Sequence, residues 1–133
     1  MDSIFRDDLA RDLEDPTFLR EYITESVRIA TIDAIINALD DARESAGLSK
    51  AQVARAIGAE PATIRRLFSS PGANPTLGTL AEVAAALGLR ISVEPLSAGD
   101  RDAVTEPLRT GKLTRPAADL VIEMRRTGRK PAA

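Results

Sequence analysis

Residues 48–70, LSKAQVARAIGAEPATIRRLFSS, decide the fold. Ser49-Lys50-Ala51-Gln52 is a capping box: the Ser49 hydroxyl can accept from the Gln52 amide while the Gln52 side chain reaches back to the Ser49 amide. A short helix through Ile57 follows from it. Gly58 stops that helix, and Pro61 restarts the chain at a first helical position, where its fixed φ fits and its missing N–H costs nothing. Val53, Ala54 and Ile57 on the first helix, with Ile64, Leu67 and Phe68 on the second, recur at spacings of three and four and predict a shared core, Ala54 keeping the crossing close. The second helix then turns Ala62, Thr63, Arg65, Arg66 and Ser69 outward.

A loop at 70–75 precedes Thr76, which caps a third helix running to Leu87 and stopped by Gly88. Two short helices across a glycine turn, followed by a third, form the helix-turn-helix pattern, in which the second helix enters the major groove of duplex DNA. Thr63 and Arg65 then reach base edges, and the helix start near Lys50 contacts phosphate. The candidate DNA-binding residues are Lys50, Gln52, Ala62, Thr63, Arg65, Arg66, Ser69 and Asn74. The plainer alternative is a helical hairpin whose arginines are solvated charges.

The flanks extend this frame. Leu89-Arg90-Ile91-Ser92-Val93-Glu94 alternates apolar and polar with period two between Gly88 and Pro95 and predicts one short β-strand. An unpaired strand leaves an open edge, so pairing with a second copy across a twofold axis would make Leu89, Ile91 and Val93 the dimer interface; the long helix upstream is the other candidate. That helix covers the stretch from Phe18 to Ala46, free of proline and glycine, and spans about 45 Å at 1.5 Å per residue. It is apolar on more than one face between Ile29 and Leu39, which predicts burial on two sides. Asp15-Pro16 starts it, after a short amphipathic helix with Ile4, Phe5, Leu9 and Leu13. Beyond the strand the sequence predicts a connector from Leu96 to Lys112, a helix from about Arg115 to Arg126 with Leu120, Val121 and Met124 as its apolar face, and a frayed GRKPAA tail. The fold class is mainly α: a helix-turn-helix bundle with a long N-terminal helix and one short strand, in segments 1–30, 31–96 and 97–133.

Composition narrows the chemistry. The chain of 133 residues has 44% hydrophobic and 29% charged residues, ordinary for a globular domain, and no apolar run approaches a membrane span. With neither cysteine nor histidine it has no thiolate nucleophile, disulfide, Ser-His-Asp triad or usual zinc cage. No metal, cofactor or enzymatic activity is expected; the neighbouring acids Asp40, Asp41 and Glu44 read as a solvated helix face rather than a catalytic set. The net charge of −2 conceals a gradient: residues 1–48 carry five Lys/Arg against twelve Asp/Glu, whereas 49–97 carry five against three and 98–133 eight against five. An acidic front joined to a mildly basic remainder points to partners of opposite character.

Residues 48–89 resemble the XRE or lambda-repressor-like helix-turn-helix family, including NPTLGTLAEVAAALGL at 74–89, which is similar to its fourth helix. Lys50 stands where that family commonly has glutamine, and Glu60-Pro61-Ala62 where it has a polar opening of the recognition helix. LEDPTFLREY at 13–22, running through a Tyr-bearing helix into the motif, resembles HigA-type antitoxins. That resemblance covers roughly 14–96. It implies a cytoplasmic, nucleoid-associated homodimer that represses its own operon on double-stranded operator DNA and neutralises a RelE-superfamily, HigB-like ribonuclease toxin. The toxin-binding candidates are Phe5, Phe18, Tyr22 and Ile23, aromatic and apolar anchors in the acidic front. The basic tail with Arg125, Arg126, Arg129 and Lys130 is the rival site, or a phosphate contact. The alternative function is a stand-alone XRE-family regulator without a toxin.

Overall fold

The computed structural model describes residues 2–129, with the backbone alone for 2–6. Phe5 and Lys130 therefore lie outside the described side chains. The chain forms α1 (Asp2–Asp12), α2 (Pro16–Ser45), α3 (Lys50–Ala56), α4 (Pro61–Ser69), α5 (Leu77–Ala86), α6 (Ala98–Asp100), a π-helical turn (Arg101–Thr105), α7 (Glu106–Thr110) and α8 (Arg115–Thr127). The punctuation is local chemistry. Asp15 Oδ1 accepts from the Thr17 amide at 3.0 Å as α2 begins, and both halves of the Ser49–Gln52 capping box are present, at 3.0 and 2.7 Å. Thr76 and Thr114 cap α5 and α8. Between α3 and α4, Gly58 takes φ +67°, which lets the Ala59 amide return to the Ala54 carbonyl at 2.9 Å and close the turn.

By contact the chain divides into two compact units: Met1–Ala30 with Glu94–Gly128, and Thr31–Val93 with, of the described residues, Arg129. Helix α2 contributes its first part to one and its second part to the other. The second unit closes over Ile36 and Leu39 of α2, Val53 and Ala54 of α3, Ile64, Leu67 and Phe68 of α4, and Leu80, Val83 and Ala84 of α5. Each of these residues lost to Ala from Leu, Ile or Phe would forfeit about 2–5 kcal/mol, so this small cluster sets the geometry of the three short helices.

The first unit buries Leu9 and Leu13 of α1, Leu19 and Ile23 of α2, Val104, and Ala117 and Val121 of α8. Residues 94–128 thus pack with residues 1–30 instead of forming a separate third segment. The expected connector is largely helical. Its Pro107 lacks the amide that an α-helix needs and its ring presses on the carbonyl four residues back; the wider π turn directly ahead of it opens the ladder at that point.

The expected strand is absent: Leu89–Glu94 has no β assignment, and no strand occurs among the described residues. The Leu89 amide is already used by the Ala84 carbonyl, 2.8 Å away, in closing α5, and a strand without a partner in its own chain has no ladder to join. Ile91 leaves the alternating face as well, packing half-buried against the second core. Leu89 and Val93 remain 43% and 99% exposed.

Gly111 ends α7 at φ +73°, and a Cβ there would lie 3.1 Å from Pro16 Cβ and 3.0 Å from Arg20 Nη2. The Arg20 guanidinium cannot retreat cheaply, because its Nε donates to the Leu108 carbonyl at 3.0 Å. Gly111→Ala is therefore expected to cost about 2–4 kcal/mol, strain and crowding together. Gly72→Ala, at φ +77° with nothing within 4 Å of its Cβ, should cost only about 1–2 kcal/mol. Urea denaturation of both variants checks the difference.

Candidate nucleic-acid interface

Helix α4 has one face committed to the core and one free. Ile64, Leu67 and Phe68 are buried, while Thr63, Arg65, Arg66 and Ser69 are exposed. No carboxylate pairs with Arg65 or Arg66 among the described residues. Two adjacent guanidiniums without a counter-ion, fixed on a rigid scaffold, form a cation pair available to an external anion.

The neighbouring elements complete the surface. Lys50, at the start of α3, donates from Nζ to Ser69 Oγ at 3.1 Å, bringing the two ends of the pair of helices together. Thr63, Arg66, Asn74 and Thr79 line one shallow cleft between α4, the loop after it and the beginning of α5. The structure therefore gathers Lys50, Thr63, Arg66, Ser69 and Asn74 around α4. Gln52 is exposed, but its Oε1 is engaged by the Ser49 amide. Ala62 is half-buried and offers a small apolar contact at most. At the N-terminal end Glu60 is exposed and makes no side-chain cap; its charge suits the helix dipole and disfavours an anion at that end of the helix.

Two other arginines of the same unit are not available, whereas Arg55 and Arg90 are exposed. Arg43 is 13% exposed, bonded to Asp40 Oδ1 at 2.8 Å and to the Leu48 carbonyl at 2.8 Å, with its guanidinium 5.7 Å above the Phe68 ring. It supports α4 from behind. Arg129, read from sequence as part of a frayed tail free to touch phosphate, is also 13% exposed and paired with Asp33 at 3.0 Å. Sequence reasoning missed this pair. Its one visible trace is an acid, Asp33, set in the apolar run Ile32 to Ile36.

The partner-binding candidates lie in the first unit. Phe18 is 37% exposed and stacks on Tyr22 with centroids 5.9 Å apart. Tyr22 is half-buried and covered by Arg125, whose guanidinium is 4.6 Å from the ring centre. Arg125 also donates to the buried Ser26 Oγ at 2.9 Å and lies 3.8 Å from Glu25, so it is held rather than free. Ile23 is fully buried: at this point of α2 it faces the core and cannot meet a partner.

Residues 39–93 match the family model described as Helix-turn-helix. The matched span runs from the end of α2 through α5 and the extended segment after it. No curated protein and no solved structure matches the chain. No helix among the described residues is long and apolar enough to cross a membrane.

The division of arginines into spent and free is measurable as stability. Arg43→Ala should lower unfolding free energy by about 2–3 kcal/mol, through lost charged hydrogen bonds and an orphaned Leu48 carbonyl. Arg65→Ala and Arg66→Ala should stay within about 0.5 kcal/mol of the parent. Thermal melts of the three variants test this.

Proposed function

We propose that this chain is a sequence-specific DNA-binding transcription regulator that reads the major groove with α4. The observation that carries the reading is the exposed, unpaired set Thr63, Arg65 and Arg66 on a helix whose opposite face is wholly buried, within a span that matches the helix-turn-helix family. Exposed Arg65 is the proposed contact to a base edge, and guanine, with its paired N7 and O6 acceptors, is the base an arginine fork fits. Lys50, Arg66 and Asn74 surround it as backbone contacts that fix register.

The reading extends to a homodimer on a two-half-site operator, recognition helices about 34 Å apart. Support comes from the extended segment after α5, where Leu89 is 43% and Val93 99% exposed. Ile91 is left out of that surface, since it packs on its own core. In the first unit, exposed Phe18 on an acidic segment is a fitting anchor for a basic protein, as a HigB-like ribonuclease toxin would be. The protein would then be an antitoxin that represses its own operon; without such a partner it is a stand-alone XRE-family regulator.

Fluorescence anisotropy on the duplex upstream of its own coding region tests the first claim. Arg65→Ala should cost about 1–3 kcal/mol on that duplex and less on random sequence, and Lys50→Ala should weaken both alike. Equal losses for Arg65→Ala on the two duplexes would remove it as a base reader. Val93→Lys should shift the sedimentation coefficient to that of a monomer. Deleting the N-terminal segment is a poor test of toxin binding, because it would strip Leu9, Leu13, Leu19 and Ile23 from the first core. Phe18→Ala leaves that core intact and should weaken a toxin complex by about 1–4 kcal/mol. Unimpaired rescue of growth by Phe18→Ala, on co-expression with an adjacent toxin gene, would move the toxin site elsewhere.

A further inference from the structure

Arg129 makes two contacts and leaves one buried donor unmatched. Its Nε donates to Asp33 Oδ1 at 3.0 Å, its Nη1 donates to the Leu67 carbonyl at 3.1 Å, and its Nη2 is buried with no hydrogen-bond partner. Asp33 belongs to α2, where Ile32, Ile35 and Ile36 pack into the second core. Leu67 belongs to α4, and its carbonyl lies in the last turn, where the helix has no amide of its own to offer. A cation there also suits the negative end of the helix dipole.

The energetics of this contact speak against a role in stability alone. A guanidinium taken out of water loses hydration that one ion pair barely returns, and a buried N–H without an acceptor adds to the loss. What the arrangement supplies is direction. The guanidinium is planar and its donors diverge at fixed angles, so it holds the Leu67 carbonyl and the Asp33 carboxylate in a set relation. Leu67 is one residue beyond Arg66 and two beyond Arg65, on a helix of nine residues.

We propose that Arg129 is a positioning residue for α4, and that discrimination between DNA sequences depends on it although it touches no DNA. The proposal rests on the DNA-binding reading of α4. Base readout tolerates displacements of only about 0.5 Å or 10–20°, whereas attraction to phosphate is long-ranged and indifferent to such shifts. Loosening the Arg129 fork should therefore damage selectivity before it damages binding.

The test uses the full chain and two probes: a duplex that the parent protein selects from a random-sequence pool, and the same duplex scrambled. Arg129→Ala is expected to lose about tenfold in affinity for the selected duplex while staying within about twofold on the scrambled one, with an unchanged salt slope. Asp33→Asn, which keeps the Oδ1 acceptor, should fall between the two. Hydrogen exchange of the α4 amides should quicken in Arg129→Ala in the absence of DNA, and Arg129→Lys, with a single point donor, should not restore it. Parallel losses on both duplexes, no loss on either, or unchanged α4 exchange would overturn the proposal while leaving DNA binding in place. A parent protein that selects no duplex would overturn both readings.

Discussion

A helix of nine residues does not persist in water, since nucleation costs more than so few backbone hydrogen bonds return. α4 exists because Ile64, Leu67 and Phe68 are buried against α2, α3 and α5, and everything proposed for its outer face follows from that burial. The same three side chains that remove one face from solvent fix the rotation that leaves Thr63, Arg65 and Arg66 outside. Ala54 at 0% exposure permits the close crossing with α3 on which the turn depends. A larger side chain there would separate the helices and shift the outer face of α4 with them.

Two kinds of arginine occupy the second unit, and their division is the electrostatic content of the fold. Arg43 and Arg129 are each 13% exposed at the side chain and bonded to carboxylates, and each donates to a backbone carbonyl, Leu48 in the linker before α3 and Leu67 in the last turn of α4. Arg65 and Arg66 have neither kind of partner. A count of charges cannot make this distinction, because all carry the same formal charge; burial and pairing assign Arg43 and Arg129 to the scaffold and leave Arg65 and Arg66, like Arg55 and Arg90, exposed.

What was legible in the sequence was local. The Ser49–Gln52 box, the Pro16 and Pro61 helix starts and the Gly58 turn each depend on residues within about four positions, and all are found where the sequence places them. The strand expected at 89–94 does not form because alternation states only that a segment could pair, while pairing needs a second strand, and none occurs among the described residues. The helix before Gly111 was hidden by Pro107, whose ring breaks an ordinary α-helix but is accommodated by a π turn. The Arg129–Asp33 bond, with 96 positions between the partners, leaves no periodic trace, and Ile23 illustrates the converse: an apolar residue beside Phe18 and Tyr22 looks like part of a surface until the face of α2 it occupies is known. The exposure of Thr63, Arg65, Arg66 and Ser69 on α4 was legible from spacing, and so was the cap that engages the Gln52 side-chain oxygen.

The split composition of the first unit bears on how the protein is made. A ribosome delivers Leu9 to Ile23 early, but their packing partners Val104, Ala117 and Val121 arrive several seconds later at about 5–20 residues per second. During that interval residues 31–93 emerge as a contiguous stretch that holds nearly all of its own core, so the second unit can condense first, around short-range contacts. Its fork to Leu67 and Asp33 is added only when residue 129 leaves the exit tunnel. Until Val104, Ala117 and Val121 have emerged, the apolar side chains of Leu9, Leu13, Leu19 and Ile23 lack the neighbours that bury them.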